Sequence, residues 1–328
     1  MRDVDRAIYN TVAAALYSER ERGSRGSTEP AQEDGARSRP VVVAVDGSAA
    51  AREATRWAAR EAARLGAPLR LTHVCDLPPF NPRARTPLPR SYEDALVESG
   101  HEWLREAAAD AAEAAPGVDV DWDVRVGRVV DVLVEESAGA RMLAVGSRGL
   151  GGFRRMLVGS VAMASAAHAH SPVVVVREGT VTADGGHVVV GVDASATSGE
   201  VLSFAFDQAA ARRARLIAVR AWRVPSADAA WDGLAERGEV EAIGEAETHS
   251  LRQELTGWRE KYPDVEVSEA VVRADRAADA LLGAARHAQL IVVGSHGHGP
   301  VAGILLGSTS RTLLHHAPCP VAVVRSPR

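Results

Sequence analysis

The sequence predicts an α/β protein of two tandem, doubly wound domains, each a five-stranded, mainly parallel sheet with helices on both faces. Three observations carry this. First, the chain repeats itself. Val145-Gly146-Ser147-Arg148-Gly149, nine residues, then Gly159-Ser160 returns as Val293-Gly294-Ser295-His296-Gly297, nine residues, then Gly307-Ser308, an offset of 148 (294 − 146, 307 − 159). Asp46 and Asp193, each inside a Val-Asp-x-Ser stretch, repeat at 147 (193 − 46). Long intervals that agree this closely mean a duplicated domain, and each copy is large enough that it should own a core. Second, runs such as Val41-Val42-Val43-Ala44-Val45 read as strands buried on both faces. Third, long helical stretches separate the strands, so the connections are right-handed crossovers between parallel neighbours. The pattern resets after five strands, which excludes an eight-unit barrel.

In order, residues 1–38 are expected to be a largely disordered tail, with a short helix over Ile8–Leu16 and a charged stretch over Arg20–Arg39. Domain 1 spans 39–178. Its first strand is Val41–Val45, and Asp46-Gly47-Ser48 turns the chain into a helix over Ala49–Leu65, ended by Gly66. Leu69–Val74 is the second strand. Five prolines between Leu77 and Arg90 predict a loop. A long helix over Tyr92–Ala115, a strand over Val118–Val126 and a helix over Val129–Ser137 follow. Ala140–Val145 leads into the glycine loop, Ser160–Ala167 is helical, and Pro172–Val176 closes the domain.

A polar linker, 179–186, leads to domain 2, 187–328. Its strands are Val188–Val192, Arg215–Ala221, Val265–Val272, Leu290–Val293 and Val321–Val324. Its helices are Ala196–Arg213, most of Ala229–Tyr262, Arg276–Arg286 and Ser308–His315. Trp57 and Phe204 align by the repeat and are expected in the core, and Trp222 after the second strand is a loop anchor or a base-stacking surface.

Composition narrows the function. A net charge of −5 gives no general pull toward nucleic acid or anionic membrane. No stretch approaches the roughly 18 consecutive apolar residues of a membrane span, and the N-terminus lacks the apolar core of a signal peptide. Cys75 and Cys319 make neither a disulfide scaffold nor a metal cluster and read as packing residues, which suits a cytoplasmic setting. Lys261 is the single lysine, so a lysine phosphate clamp of the Walker kind is unavailable. The first strands end in Asp-Gly-Ser and Asp-Ala-Ser, not in the Gly-x-Gly-x-x-Gly of a dinucleotide fold.

The glycine loops leave a buried strand and enter a helix. Glycines bring backbone N–H groups close to a ligand, and Gly159-Ser160 and Gly307-Ser308 sit at helix starts, where unpaired N–H groups form an anion site. Together they can wrap one polyphosphate beyond the C-terminal strand ends. Asp46 and Asp193 lie on that edge and could accept from a ribose hydroxyl or a base N–H. The alternative is that the glycines only permit tight turns and the serines only cap helices.

These motifs resemble the universal stress protein family in its tandem form, and within it the ATP-binding subgroup marked by Gly-x-x-Gly, nine residues, Gly-Ser. The run His315-His316-Ala317-Pro318-Cys319-Pro320-Val321 is also similar to that family's C-terminus. The resemblance implies ATP as ligand, with Mg²⁺ as its companion where a divalent ion is bound. It implies phosphate contact at Gly146, Gly149, Gly159, Ser160, Gly294, Gly297, Gly307 and Ser308. Asp46 and Asp193 would lie at the adenine and ribose end, and Val74 and Ala221, taken as following the second strands, would offer backbone to adenine. It further implies stress signalling through an unidentified protein partner, with pairing through the last strand, either between the two domains or in a homodimer.

The copies differ. Asp275, Pro300 and the lack of arginines make the second loop the weaker expectation, whereas Arg154 and Arg155 favour the first. Ser147 and Ser295 have no fixed base and do not form a nucleophile elbow. His296 and His298 lack a third metal partner. His168, His170, His315 and His316 are expected to cap helix C-termini. No catalytic residue is assigned. The leading expectation is a nucleotide-binding stress-response protein, not an efficient enzyme. A weak Mg-dependent ATPase or autokinase and a nucleotide-free scaffold are the rivals.

Overall fold

The computed structural model describes residues 39–76, 90–150, 157–179, 185–193, 195, 198–223, 237–296 and 306–325. The expected N-terminal tail, the proline-rich loop, Gly297, His298, Pro300, Arg154, Arg155 and most of the linker lie outside these residues. Residues 39–328 belong to one unit.

The N-terminal half runs β1 (Val41–Ala44), α1 (Ala49–Leu65), β2 (Leu69–Cys75), α2 (Arg90–Ala114), β3 (Val120–Val126), α3 (Val129–Ala138), β4 (Met142–Gly146), α4 (Ser160–His168) and β5 (Val173–Val176). The C-terminal half repeats it as β6 (His187–Gly191), α5 (Ser198–Arg212), β7 (Leu216–Trp222), α6 (Arg237–Lys261), β8 (Val267–Arg273), α7 (Ala277–Ala284), β9 (Ala288–Gly294), α8 (Ser308–His316) and β10 (Val321–Val324). Alternation of helix and strand is as the sequence predicts.

The sheets do not stay separate. All ten strands form one sheet in the order β3-β2-β1-β4-β5-β10-β9-β6-β7-β8. Every neighbour is parallel except β5 and β10, which meet antiparallel at the seam. Because the sheet is continuous, the interior divides by face and not by half. Val41 and Val43 join α1, α2, α5 and α6 in one core. Val42, the intervening residue, joins α3, α4, α7 and α8 in the other. The expectation of one core per copy is thus replaced by two cores that each run through both halves.

Local chemistry explains the element ends. Ser48 caps α1 by accepting from the Ala51 N–H at 3.2 Å. Gly66 ends it in the left-handed region at φ 58°, where glycine carries no Cβ penalty. Arg213 occupies the same place after α5 at φ 50°. Trp57 is buried as expected, but Phe204 is only partly buried, because Phe206 takes the fully buried position on α5 and stacks on Trp258.

Candidate functional site

Within each half the strand order reverses between the first and fourth strands, which opens a crevice at their C-terminal ends. In the N-terminal half, Val45 donates to the Thr72 carbonyl at 2.9 Å, and the chain then leaves the sheet. Asp46 Oδ1 accepts the Ser48 N–H at 3.0 Å, which shapes the turn around Gly47. Its other oxygen accepts the Leu150 N–H at 3.3 Å. The Ser48 hydroxyl donates to the Arg148 carbonyl at 3.1 Å. The first turn and the glycine loop are therefore laced together by two side chains.

The glycines differ in why they are needed. A Cβ on Gly146 would lie 2.7 Å from the Ala50 carbonyl carbon, so β4 could not approach α1. One on Gly149 would collide with the Asp46 carboxylate. Gly159 is unlike both. Its φ of −78° suits any residue, and among the described residues a Cβ there would meet nothing closer than 3.6 Å. It is nonetheless the N-cap of α4, with no side-chain cap, and its own N–H goes to the Ser147 carbonyl at 2.7 Å. The first turn of α4, beginning at the exposed Ser160, contains no acidic residue.

The C-terminal half repeats this frame. Gly307 donates to the Ser295 carbonyl at 2.7 Å and caps α8 without a side-chain bond; Ser308 is exposed. Gly294 ends β9, and its carbonyl accepts from Ser310 at 2.6 Å. Asp193 is held differently from Asp46. It accepts the Ser195 N–H at 3.2 Å and the Ser195 hydroxyl, while its carbonyl accepts the Ser198 hydroxyl.

Val74 and Ala221 are corrected in position. They lie inside β2 and β7, because the ladders with β3 and β8 continue through Cys75–Val126 and Trp222–Arg273. The β1–β2 ladder stops earlier, at Ala44–Thr72. Since backbone groups alternate sides along a strand, those of Val74 face the β1 side, as those of Thr72 do, beyond the end of that ladder.

Sequence reasoning missed the groups beside this edge. His73 is buried edge-on to Trp103 of α2, at 5.1 Å between ring centres, with Nδ1 2.7 Å from the Val45 carbonyl. Burial pushes its imidazole below the ordinary value. Trp103 also covers Gly47, where a Cβ would lie 2.7 Å from the indole nitrogen. The repeat replaces His73 by Arg220 and Trp103 by Ser250, and these bond to each other at 3.0 Å. The 147-residue offset would have paired these positions in sequence, but not the contacts they make. Trp222 packs toward α6, where a Cβ on Gly244 would meet it at 3.3 Å.

His168 stands in the last turn of α4, and His315 and His316 in that of α8, as expected, with His168 and His316 exposed. His170 lies exposed beyond the end of α4. Arginines from the opposite half also reach these helix ends. Arg177 donates to the carbonyls of His315 at 2.8 Å and Ala317 at 3.2 Å, and Arg325 donates to the Ala167 carbonyl. Cys75 and Cys319 are buried free thiols, and burial pushes Cys319 up to about 12. Among the described residues, no group of three or more His, Cys, Asp or Glu side chains is placed to hold a metal ion. Nor is any helix there long and apolar enough to cross a membrane.

The family model described as the universal stress protein family matches this chain twice, over residues 37–177 and 186–325. The chain belongs to that family, in its tandem two-domain form. A universal stress protein of Mycolicibacterium smegmatis is 37% identical over 295 residues, covering 87% of this chain and 96% of that protein. One from Mycobacterium tuberculosis is 38% identical over 300 residues, with the same coverage of 87% and 96%. In structure, this universal stress protein is similar to one from Archaeoglobus fulgidus, with a TM-score of 0.63 at 20% identity. That match spans 90% of this chain and 99% of the other, and it concerns the fold alone.

Proposed function

We propose that this universal stress protein binds an adenine nucleotide, ATP, in the crevice between β1 and β4, and more weakly in the matching crevice between β6 and β9. Its two domains, 39–178 and 187–328, would each supply one site. The observation that carries this reading is Gly159. No described residue crowds a side chain there, yet the position is glycine, which leaves the α4 N-terminus without a side-chain cap and suited to an anion. Gly307 repeats the uncapped arrangement.

In this reading the backbone N–H groups at Ser160, with Gly146 and Gly149, receive the phosphates. The Val74 backbone faces adenine. Asp46 fixes the glycine loop while its half-buried carboxylate lies at the ribose end. Gly294, Gly297, Gly307, Ser308, Asp193 and Ala221 play the same parts in the second site. Bound Mg²⁺ would offset phosphate charge. The proposed output is a change of shape read by a protein partner in the cytoplasm. Arg325 supports such an output, because it ties the far end of α4 to the other half.

Calorimetric titration with ATP, ADP, AMP and cyclic AMP tests the proposal, using wild type beside Ser160→Asp and Ser308→Asp. Loss of one binding event per substitution is expected. Unchanged ATP binding in both variants overturns it.

A further inference from the structure

The seam between the halves is nearly two-fold symmetric. Its register pairs Val173 with Val323, Val174 with Ala322 and Val175 with Val321. Val174 and Ala322 are the same position of the repeat, so a pseudo-two-fold axis passes between them. The exchanged caps from Arg177 and Arg325 obey the same axis. Backbone pairing of this kind does not distinguish one half from another. Two N-terminal halves or two C-terminal halves could form the same ladder.

One contact breaks the symmetry. Arg212, at the end of α5, reaches across to α1 of the other half. Its Nη2 lies 2.7 Å from Glu61 Oε2, and its Nη1 donates to Glu61 Oε1 at 3.1 Å. Its guanidinium carbon lies 5.8 Å from the Trp57 ring centre. The two side chains are 2% and 0% exposed. The repeat puts Gln208 where Glu61 stands and Leu65 where Arg212 stands, at the 147-residue offset. Pairing two N-terminal halves would therefore set Glu61 against leucine, with only Arg64 of its own helix nearby at 3.5 Å. Pairing two C-terminal halves would set Arg212 against glutamine. The first arrangement leaves Glu61 only the longer contact to Arg64, and the second leaves Arg212 facing amides alone, its own Gln208 included; both weaken the pairing of a charge held out of water, which is unfavourable.

We infer that the Glu61–Arg212 pair determines the specificity of this seam: the face of the N-terminal half around Glu61 fits the C-terminal half of this chain and rejects a second copy of itself. One hydrogen bond, Nη1 to Oε1, and a close ion contact, Nη2 to Oε2, join the two charges, and an amide or apolar group in either place would lack the opposite charge.

The full chain tests this through variants that reproduce the rejected seams. Arg212→Leu gives Glu61 the partner it would meet between two N-terminal halves. Glu61→Gln gives Arg212 the partner it would meet between two C-terminal halves. Each single variant is expected to lower the thermal unfolding midpoint, Arg212→Leu by about 5–10 °C. The double variant Glu61→Gln/Arg212→Leu, with no charge left stranded, is expected to melt above both singles. Should Arg212→Leu not accumulate folded, the double variant still has to melt above the isosteric Glu61→Gln. A double variant that melts at or below Glu61→Gln, or single variants with wild-type midpoints, overturns the inference.

Discussion

Replacing Ser160 with aspartate should move folding and ligand binding in opposite directions. Ser160 is exposed at the first position of α4, Gly159 provides no side-chain cap, and the first turn holds no acidic residue. A carboxylate there meets the positive end of the helix dipole and should stabilise the fold by about 0.3–1 kcal/mol. To a bound phosphate it is a like charge. At roughly 4 Å two unit charges repel by about 1 kcal/mol in water and about 4 kcal/mol at the effective dielectric near a protein surface. An exposed rim lies between these limits, so a loss of about 2–3 kcal/mol is expected, or roughly 30- to 150-fold in ATP affinity. The assay is calorimetry with ATP and adenosine at fixed ionic strength, with thermal unfolding of the same samples. ATP affinity should fall, adenosine binding should hold, and the midpoint should not drop. ATP affinity within threefold of wild type would refute the phosphate cradle at α4. Weakened binding together with a lower midpoint would refute the dipole reasoning.

Three further outcomes follow from the packing. Arg213→Gly should stabilise the protein by about 0.5–1 kcal/mol, because Arg213 sits at φ 50° where its repeat counterpart is Gly66; urea unfolding checks this, and a loss of stability counts against it. Arg177→Ala removes two hydrogen bonds to the end of α8 and should cost about 1.5–3 kcal/mol; a cost under about 0.5 kcal/mol would show that the cap is idle. Burial holds the His73 imidazole below its ordinary 6.5, so the unfolded chain takes up a proton that the folded chain refuses. Stability due to His73 is therefore complete above about pH 6.5 and falls as pH drops from there toward the folded value. His73→Gln should flatten that part of the pH profile in denaturant titrations at pH 5 to 8, and an unchanged profile sinks the assignment.

Much of the fold was legible because its signals are local. The run Val41–Val45 and the turn at Gly66 carry their conformations in their own chemistry, and the glycine loops reveal themselves by repetition. Among the described residues, most elements fall within a few residues of their expected bounds. The candidate site was legible as a set of positions, but the roles within it were not. Gly146, Gly149 and Gly159 look alike in sequence. Only the surroundings separate the two whose Cβ would clash from the one whose Cβ meets no described residue closely. Val74 and Ala221 looked like residues beyond a strand, because a strand's end depends on how far its neighbour continues.

By itself the sequence determined the duplication, the order of elements and which faces are apolar, since spacing and propensity act within a few residues. Tertiary structure decided what those faces meet. It joined the halves into one sheet through β5 and β10, crossed Arg177 and Arg325 to opposite helices, and buried Glu61 against Arg212. These contacts link residues 138 to 158 positions apart. Periodicity tells which side of a helix is covered, but no local rule names the side chain that covers it.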